Sequence, residues 1–465
     1  LIEQGTKINV IDRIKARANI AKDQICEELM TAPEFPVELD PADTIKQPER
    51  PKLLQVLGPG LITGASDDDP SGIATYSQIG AQLGFSLNWV MLFSWPLMCA
   101  IQEISARIGR VTGRGIAGNL KRHYPLGVVY GIVFLLVIAN VINLGADLGA
   151  MGAALKLLIG GPALLYVALF GLVSVLLEVF SRYSRYVSVL KWLTLSLFAY
   201  VGVAFIVDIP WRTVGYNLIV PHVAFNGPYL TAVVAVLGTT ISPYLFFWQA
   251  EEEVEEVKER AEAKPLVRAP EQAPTEFSRI RVDTYVGMGL SNVVALFIIL
   301  TTAATLNAHG VTDIQTSAQA AEALRPIAGP FAFVVFALGI IGTGMLALPV
   351  LAGSSAYAVG ETFGWHVGLA RKANRAKAFY GAIVVATLIG VALNFTPIDP
   401  IKALFWSAVI NGVVAVPVMA LMMHLSSHRA AMGDFKLHAG LRIVGWAATL
   451  VMAAAAVGLF VTWGQ

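Results

Sequence analysis

Charge is scarce in this chain, with Asp, Glu, Lys and Arg making up 14% of its 465 residues against about 25% in an average soluble domain. Hydrophobic residues reach 56% and mean hydropathy is +0.65, which excludes an ordinary soluble globule and describes an all-α polytopic membrane protein. Cysteine is nearly absent. Cys26 and Cys99 are the only two, and Cys99 lies in an apolar run, so neither a disulfide framework nor a thiolate metal site is expected. The seven histidines, His123, His222, His309, His366, His424, His428 and His438, avoid the centres of the apolar segments, which argues against an imidazole metal site or a buried histidine proton relay. A formal net charge of +1 gives no overall pull toward nucleic acid. No nucleophile–base pair or metal–histidine cluster is visible, so an enzyme is not expected, and nothing calls for a cofactor or an obligate protein partner. Residues 1–50 open on Leu1, carry mixed charge with Pro33, Pro36, Pro41 and Pro48, and have no apolar core of the kind a signal peptide needs. They are expected to form a cytoplasmic tail ahead of a transmembrane domain over 51–465.

Hydropathy predicts about eleven spans, near 54–80, 86–108, 126–158, 162–181, 187–208, 229–249, 282–306, 330–358, 378–395, 399–424 and 440–463. Cations collect after the second span (Arg107, Arg110, Arg114, Lys121, Arg122), around the fourth-to-fifth junction (Arg182, Arg185, Lys191) and before the ninth (Arg371, Lys372, Arg375, Lys377). Because cytoplasmic loops are enriched in Lys and Arg, the N-terminus is expected inside and the C-terminus outside, and a bacterial inner membrane suits such a chain. Residues 251–281, beginning Glu251-Glu252-Glu253 and containing Pro265, Pro270 and Pro274, read as a solvated cytoplasmic linker whose acids serve solubility.

The first span is interrupted at Ala65-Ser66-Asp67-Asp68-Asp69-Pro70-Ser71-Gly72. A carboxylate at mid-depth costs about 2.5–3.5 kcal/mol on insertion scales. Pro70 removes a backbone donor and Gly72 lowers helix propensity, so the helix is expected to break and bare carbonyls beside the acids, as a cation site requires. The sixth span is interrupted in the same way at Gly238-Thr239-Thr240-Ile241-Ser242-Pro243-Tyr244. Spans one and six open two sets of five, and paired interruptions in opposed halves point to a transport site at the midplane.

These residues resemble the NRAMP family of divalent-metal transporters, from about Leu53 to the C-terminus. Gly58-Pro59-Gly60 precedes the first break, Ala106-Arg107-Ile108-Gly109-Arg110-Val111-Thr112-Gly113 is similar to the family's loop after the second helix, and Arg281-Val282-Asp283-Thr284 to the start of its seventh. The resemblance implies a LeuT-type fold, with inverted five-helix repeats near 54–208 and 229–424 and an extra helix over 440–463. The family's Asp-Pro-Gly-Asn reads Asp69-Pro70-Ser71-Gly72 here, and its Ala-X-Ile-Met-Pro-His reads Thr239-Thr240-Ile241-Ser242-Pro243-Tyr244. Its third-helix glutamate falls on Asn140 and its following aspartate on Asp147. This combination is similar to the NRAMP-related magnesium transporter branch.

Ligand chemistry agrees with that placement. A thioether favours transition metals, whereas Ser242 offers a hard oxygen. Mg²⁺ prefers octahedral oxygen and keeps several waters, for which Gly72 and Ser242 are expected to leave space. Asp69 is expected to supply charge and Thr239 a carbonyl or hydroxyl contact. Asp67 and Asp68 form either a negative vestibule or helix-surface acids facing a cytoplasmic cavity, and Tyr244 is a further candidate. Asp147 and Glu178 are each a relay or a structural partner of a cation such as Lys156 or Arg182, structure being favoured for Glu178. Asn140, Asn143, Asn292 and Asn411 are expected to pair between helices. The expected function is import of Mg²⁺, with Mn²⁺ as a secondary substrate, by alternating access without obligatory proton coupling. The alternatives are a proton-coupled Mn²⁺/Fe²⁺ importer of the ordinary NRAMP kind and an amino-acid symporter on the same fold.

Overall fold

The computed structural model describes residues 63–64, 66–180, 195–260, 262–369 and 371–463, all within one compact unit, Leu53–Gln465. The expected tail over 1–50, Gly58-Pro59-Gly60, Arg182, Arg185 and Lys191 lie outside the described residues.

The longer helices among the described residues are α1 (Pro70–Leu83), α2 (Asn88–Thr112), α3 (Ile116–His123), α4 (Leu126–Ile159), α5 (Ala163–Phe180), α6 (Phe198–Ala204), α7 (Trp211–Ile219), α8 (Gly227–Thr240), α9 (Pro243–Glu259), α10 (Ala273–Thr305), α11 (Ala332–Phe363), α12 (Lys377–Leu393), α13 (Pro400–Ser427) and α14 (Ala439–Val461). Sequence punctuation sets most of their ends. Asp69, Asn226 and Asp399 are N-caps followed at once or one residue later by proline, whose missing N–H costs nothing in a first turn. Gly113 and Gly364 close α2 and α11 in the left-handed region at φ +67° and +74°, where a Cβ would be strained.

Both predicted interruptions are present. Residues 66 and 67 are helical, Asp68 bends, and the chain restarts as α1 at Pro70. The sixth span divides into α8 and α9, with Ile241 at φ −122°, ψ 58° between them. Among the described residues, seven helical segments are long and apolar enough to cross a membrane. Their outward faces carry Phe134, Leu165, Leu172 and Leu450, all exposed, as a lipid-facing surface requires. Inside the bundle α1 packs on α10, α13 and α8, while α4 packs on α11, α13 and α12. The α8–α13 crossing is close: a Cβ on Gly238 would sit 2.5 Å from the Gly412 nitrogen, so only glycine lets these backbones approach.

The solvated linker expected over 251–281 is a correction. Helix α9 continues through the acidic run to Glu259 and α10 begins already at Ala273. Glu251 and Glu253 are buried. The acids have partners that are distant in sequence. Arg279 binds Glu253 at 2.5 Å, Glu256 at 2.9 Å and Glu276 at 2.9 Å, and Arg110 of α2 binds Glu276 at 3.2 Å. Glu361 of α11 accepts from the Gly115 and Gly118 amides at 2.8 and 2.7 Å, anchoring the start of α3. Removing one partner of a buried ion pair strands the other charge. Arg279→Ala is therefore expected to destabilise the detergent-solubilised protein by about 3–5 kcal/mol, read as a fall in its melting temperature, whereas Arg325→Ala, whose pair with Glu322 is exposed, should shift it little.

Candidate metal-ion site

Asp69 stands where α1 begins, its backbone extended at φ −67°, ψ 170°. One carboxylate oxygen accepts from the Gly72 amide at 2.7 Å, capping the half-helix. The other accepts from Asn143 Nδ2 at 3.0 Å and from the Tyr244 hydroxyl at 3.1 Å. The start of α1, the middle of α4 and the first turn of α9 thus meet on one fully buried carboxylate. The second break is built differently. Ser242 makes no side-chain cap to α9. Its hydroxyl turns back to the Gly238 and Thr239 carbonyls at 2.8 and 2.7 Å, at the end of α8 where the helix dipole is negative and a cation is favoured.

Asp69, Gly72, Thr239, Ser242 and Tyr244 are brought together as expected. The open space expected at Gly72 is not present in this conformation: a Cβ there would meet Thr239 Oγ1 at 3.1 Å, the Asp67 carbonyl at 3.2 Å and the Tyr76 ring at 3.3 Å. The missing side chain lets the two breaks touch. Asp67 and Asp68 also depart from the vestibule reading. Both are buried, and they share one donor, the Ser291 hydroxyl of α10, at 2.5 and 3.1 Å. Thr239, Ser242 and Tyr244 are likewise buried, so the cluster is sealed from solvent.

Asp147 is buried with Asn143 Nδ2 at 3.4 Å from its Oδ2. Lys156 is exposed and forms no ion pair with it, so the cationic partner expected there is absent among the described residues. Glu178 accepts from Ser174 at 3.0 Å, a contact within its own helix. Of the four asparagines, Asn140 bonds the Leu351 carbonyl and the Ser354 and Ser355 hydroxyls, and Asn292 bonds the Met91 carbonyl, both between helices as expected. Asn143 and Asn411 also pair between helices, α4 and α13, and Asn143 bonds the Asp69 carboxylate as well. Ser291 and Ser407 are site residues that sequence reading passed over; Ser407 and Asn411 are spaced i, i+4 in an apolar span, a signal shared by Asn143 and Asp147. No three His, Cys, Asp or Glu side chains converge among the described residues. A cation held here would therefore rely on amide, hydroxyl and carbonyl oxygens beside its carboxylates.

A multi-span carrier in which two interrupted helices meet at a buried carboxylate is the class of protein this fold and site define. A sequence profile described as natural resistance-associated macrophage protein-like matches residues 60–462, and the chain belongs to that family, Nramp. Among its relatives, the divalent metal cation transporter MntH of Yersinia pestis (strain Pestoides F) is 27% identical over 311 residues, covering 65% of this chain and 72% of its own. MntH of Klebsiella pneumoniae (strain 342) is 25% identical over 401 residues, covering 84% and 90%. The fold is similar to that of the manganese transporter of Eremococcus coleocola, with a TM-score of 0.68 and 16% identity over 87% of this chain and 86% of that one. MhsT in complex with L-phenylalanine shares it at a TM-score of 0.58 and 14% identity, over 85% and 98%. The protein is a divalent metal cation transporter of LeuT-type fold and not an enzyme, which sets the amino-acid symporter reading aside.

Asp69→Ala removes a helix cap worth about 1 kcal/mol together with the charge at the break. The variant is expected to fold, with a size-exclusion profile like that of the parent, and to transport divalent metal into proteoliposomes no faster than protein-free vesicles.

Proposed function

We propose that this transporter carries Mg²⁺ inward, with Mn²⁺ as a secondary substrate, by alternating access around the two broken helices. Asp69, Thr239 and Ser242 form the ion site, and Gly72 permits the close approach of its two halves. The supporting observation is the chemistry at the second break. Ser242, hard and neutral, stands where the family carries a thioether, and the side chains that touch Asp69 are an amide and a phenol. Oxygen donors suit Mg²⁺, whereas sulfur draws transition metals. The N-terminus is placed in the cytoplasm on the distribution of Lys and Arg.

Flux is not obligatorily coupled to protons. A coupled carrier needs a group beside the ion that titrates near neutrality, and histidine has that property with a pKa of about 6.5. Tyr244 fills that position here and is engaged as a donor to Asp69 at 3.1 Å. The membrane potential alone then drives a divalent ion with about 4.6 kcal/mol per 100 mV. The competing reading, a proton-coupled Mn²⁺ importer, draws on what the relatives are called and on the buried carboxylate of Asp147.

Proteoliposomes loaded with a pH-sensitive dye separate the two. Mg²⁺ uptake is expected with the dye silent; acidification in step with uptake, or uptake of Mn²⁺ but not Mg²⁺, supports the competing reading. Ser242→Met is expected to lower Mg²⁺ transport about tenfold or more and to strengthen Mn²⁺ or Cd²⁺ binding. An unchanged preference in that variant would place selectivity elsewhere.

A further inference from the structure

Asn143 uses all of its hydrogen-bonding capacity, and it uses it asymmetrically. Its Nδ2 faces two carboxylates, Asp69 Oδ2 at 3.0 Å and Asp147 Oδ2 at 3.4 Å. Its Oδ1 faces α13, accepting from Ser407 Oγ at 2.7 Å and Asn411 Nδ2 at 3.5 Å. Two N–H groups and two lone pairs are a primary amide's full complement. With no cation present this orientation is the favourable one, because two buried carboxylate oxygens within reach of one nitrogen need a donor between them. A divalent cation at the Asp69 carboxylate reverses that demand: an N–H pointing at the ion is repelled, and an oxygen is wanted in its place.

The surroundings of Asn143 accept the reversed amide. Ser407 Oγ also lies 2.7 Å from the Leu404 carbonyl, so its single proton can stay with that carbonyl while its lone pairs accept from a turned Nδ2. Asn411 Oδ1 is buried and has no hydrogen-bond partner, and by turning its own amide Asn411 presents that oxygen to the same nitrogen. Asp147 Oδ1 is also without a hydrogen bond. The turn of Asn143 thus converts a two-carboxylate, one-donor cluster into three oxygens facing one point, while its NH₂ takes acceptors on α13.

We propose that Asn143 is an ion ligand of this transporter: its side-chain amide turns when the cation binds, its carbonyl oxygen joins Asp69 and Asp147 on the ion, and its NH₂ passes to Ser407 and Asn411 on α13. This rests on the reading of Asp69 as the ion site and extends that site from the breaks in α1 and α8 onto α4. It assigns Asp147 a role as second carboxylate. Two carboxylates, a neutral amide oxygen and remaining water positions match the hard, oxygen-only preference of Mg²⁺. It also supplies a mechanical link, because the same amide that senses the ion holds α13.

The test is Mg²⁺ binding to the purified full-length protein by titration calorimetry, with thermal melting as the control for folding. Asn143→Leu, which keeps the shape and removes the oxygen, is expected to weaken Mg²⁺ binding at least about tenfold. Asn143→Asp, which keeps an oxygen at that position, is expected to bind within a few-fold of the parent. Were Asn143 only a donor that positions Asp69, Asn143→Asp would be at least as damaging as Asn143→Leu, and that result overturns the ligand assignment. So does wild-type affinity in Asn143→Leu when Asp69→Ala has lost binding, whereas binding retained by Asp69→Ala overturns the underlying site reading instead. If Asn143→Leu does not fold, infrared difference spectra of the parent protein carrying isotope-labelled asparagine decide the matter. Mg²⁺ is expected to shift an asparagine carbonyl band that Asn143→Asp lacks, and the absence of any such shift contradicts the proposal.

Discussion

One constraint organises this molecule: the carboxylate of Asp69 lies in the interior of a membrane bundle, and the chain must supply enough donors to keep it there. Burying a charge without partners is prohibitively costly, whereas a carboxylate that accepts several hydrogen bonds is tolerated. Breaking the first span supplies one donor, the Gly72 amide. Asn143 and Tyr244 supply the other two from α4 and α9. The resulting anion sits beside the carbonyl end of α8, so the two interruptions create one place where negative potential is concentrated in a low-dielectric medium. A cation neutralises it. The same features that make the buried carboxylate expensive favour the proposed oxygen-seeking cation as its partner.

Around that centre the packing is organised to let helices touch and to hold the far ends firmly. Gly238 against Gly412, and Gly72 against Thr239, bring backbones within reach where a side chain would separate them. At the other end of α9 the buried Glu253 is tied by Arg279 to α10, whose Glu276 in turn pairs with Arg110 of α2. The half-helix that carries Tyr244 is therefore anchored by ion pairs at one end and by its hydrogen bond to Asp69 at the other. On the proposed reading, an ion on Asp69 changes the forces on α9 at its first turn while its last turn stays clamped.

Much of this was legible in the residues. Asp69-Pro70 and Ser242-Pro243 announce breaks because each proline follows a polar residue in the middle of an apolar run, and both breaks fall where expected. The span ends shift by a few residues, except where polar residues continue a helix. There α9 runs on through Glu251–Glu259, where Glu253 and Glu256 are paired by Arg279 of α10, a partner that no local pattern reveals. The asparagines were the hardest to read. Asn140 and Asn143 are three residues apart on one helix, yet one bonds α11 and the other bonds the ion-site carboxylate. Composition cannot distinguish them, and neither can spacing, since Asn140 and Asn143 lie seven and four residues before Asp147 and both share its face. Gly72 was read as space, and is instead a contact, because what a missing side chain leaves open depends on which helix arrives to fill it.

The central claim is that a divalent ion is held where the breaks in α1 and α8 meet, on Asp69. Anomalous scattering from crystals of the full chain grown with Mn²⁺ tests it directly. The account predicts a peak within coordination distance, about 2–2.5 Å, of an Asp69 carboxylate oxygen, weakened by added Mg²⁺ competing for the same position. A peak that avoids Asp69 and lies instead among the glutamates of α9 and α11 would contradict it.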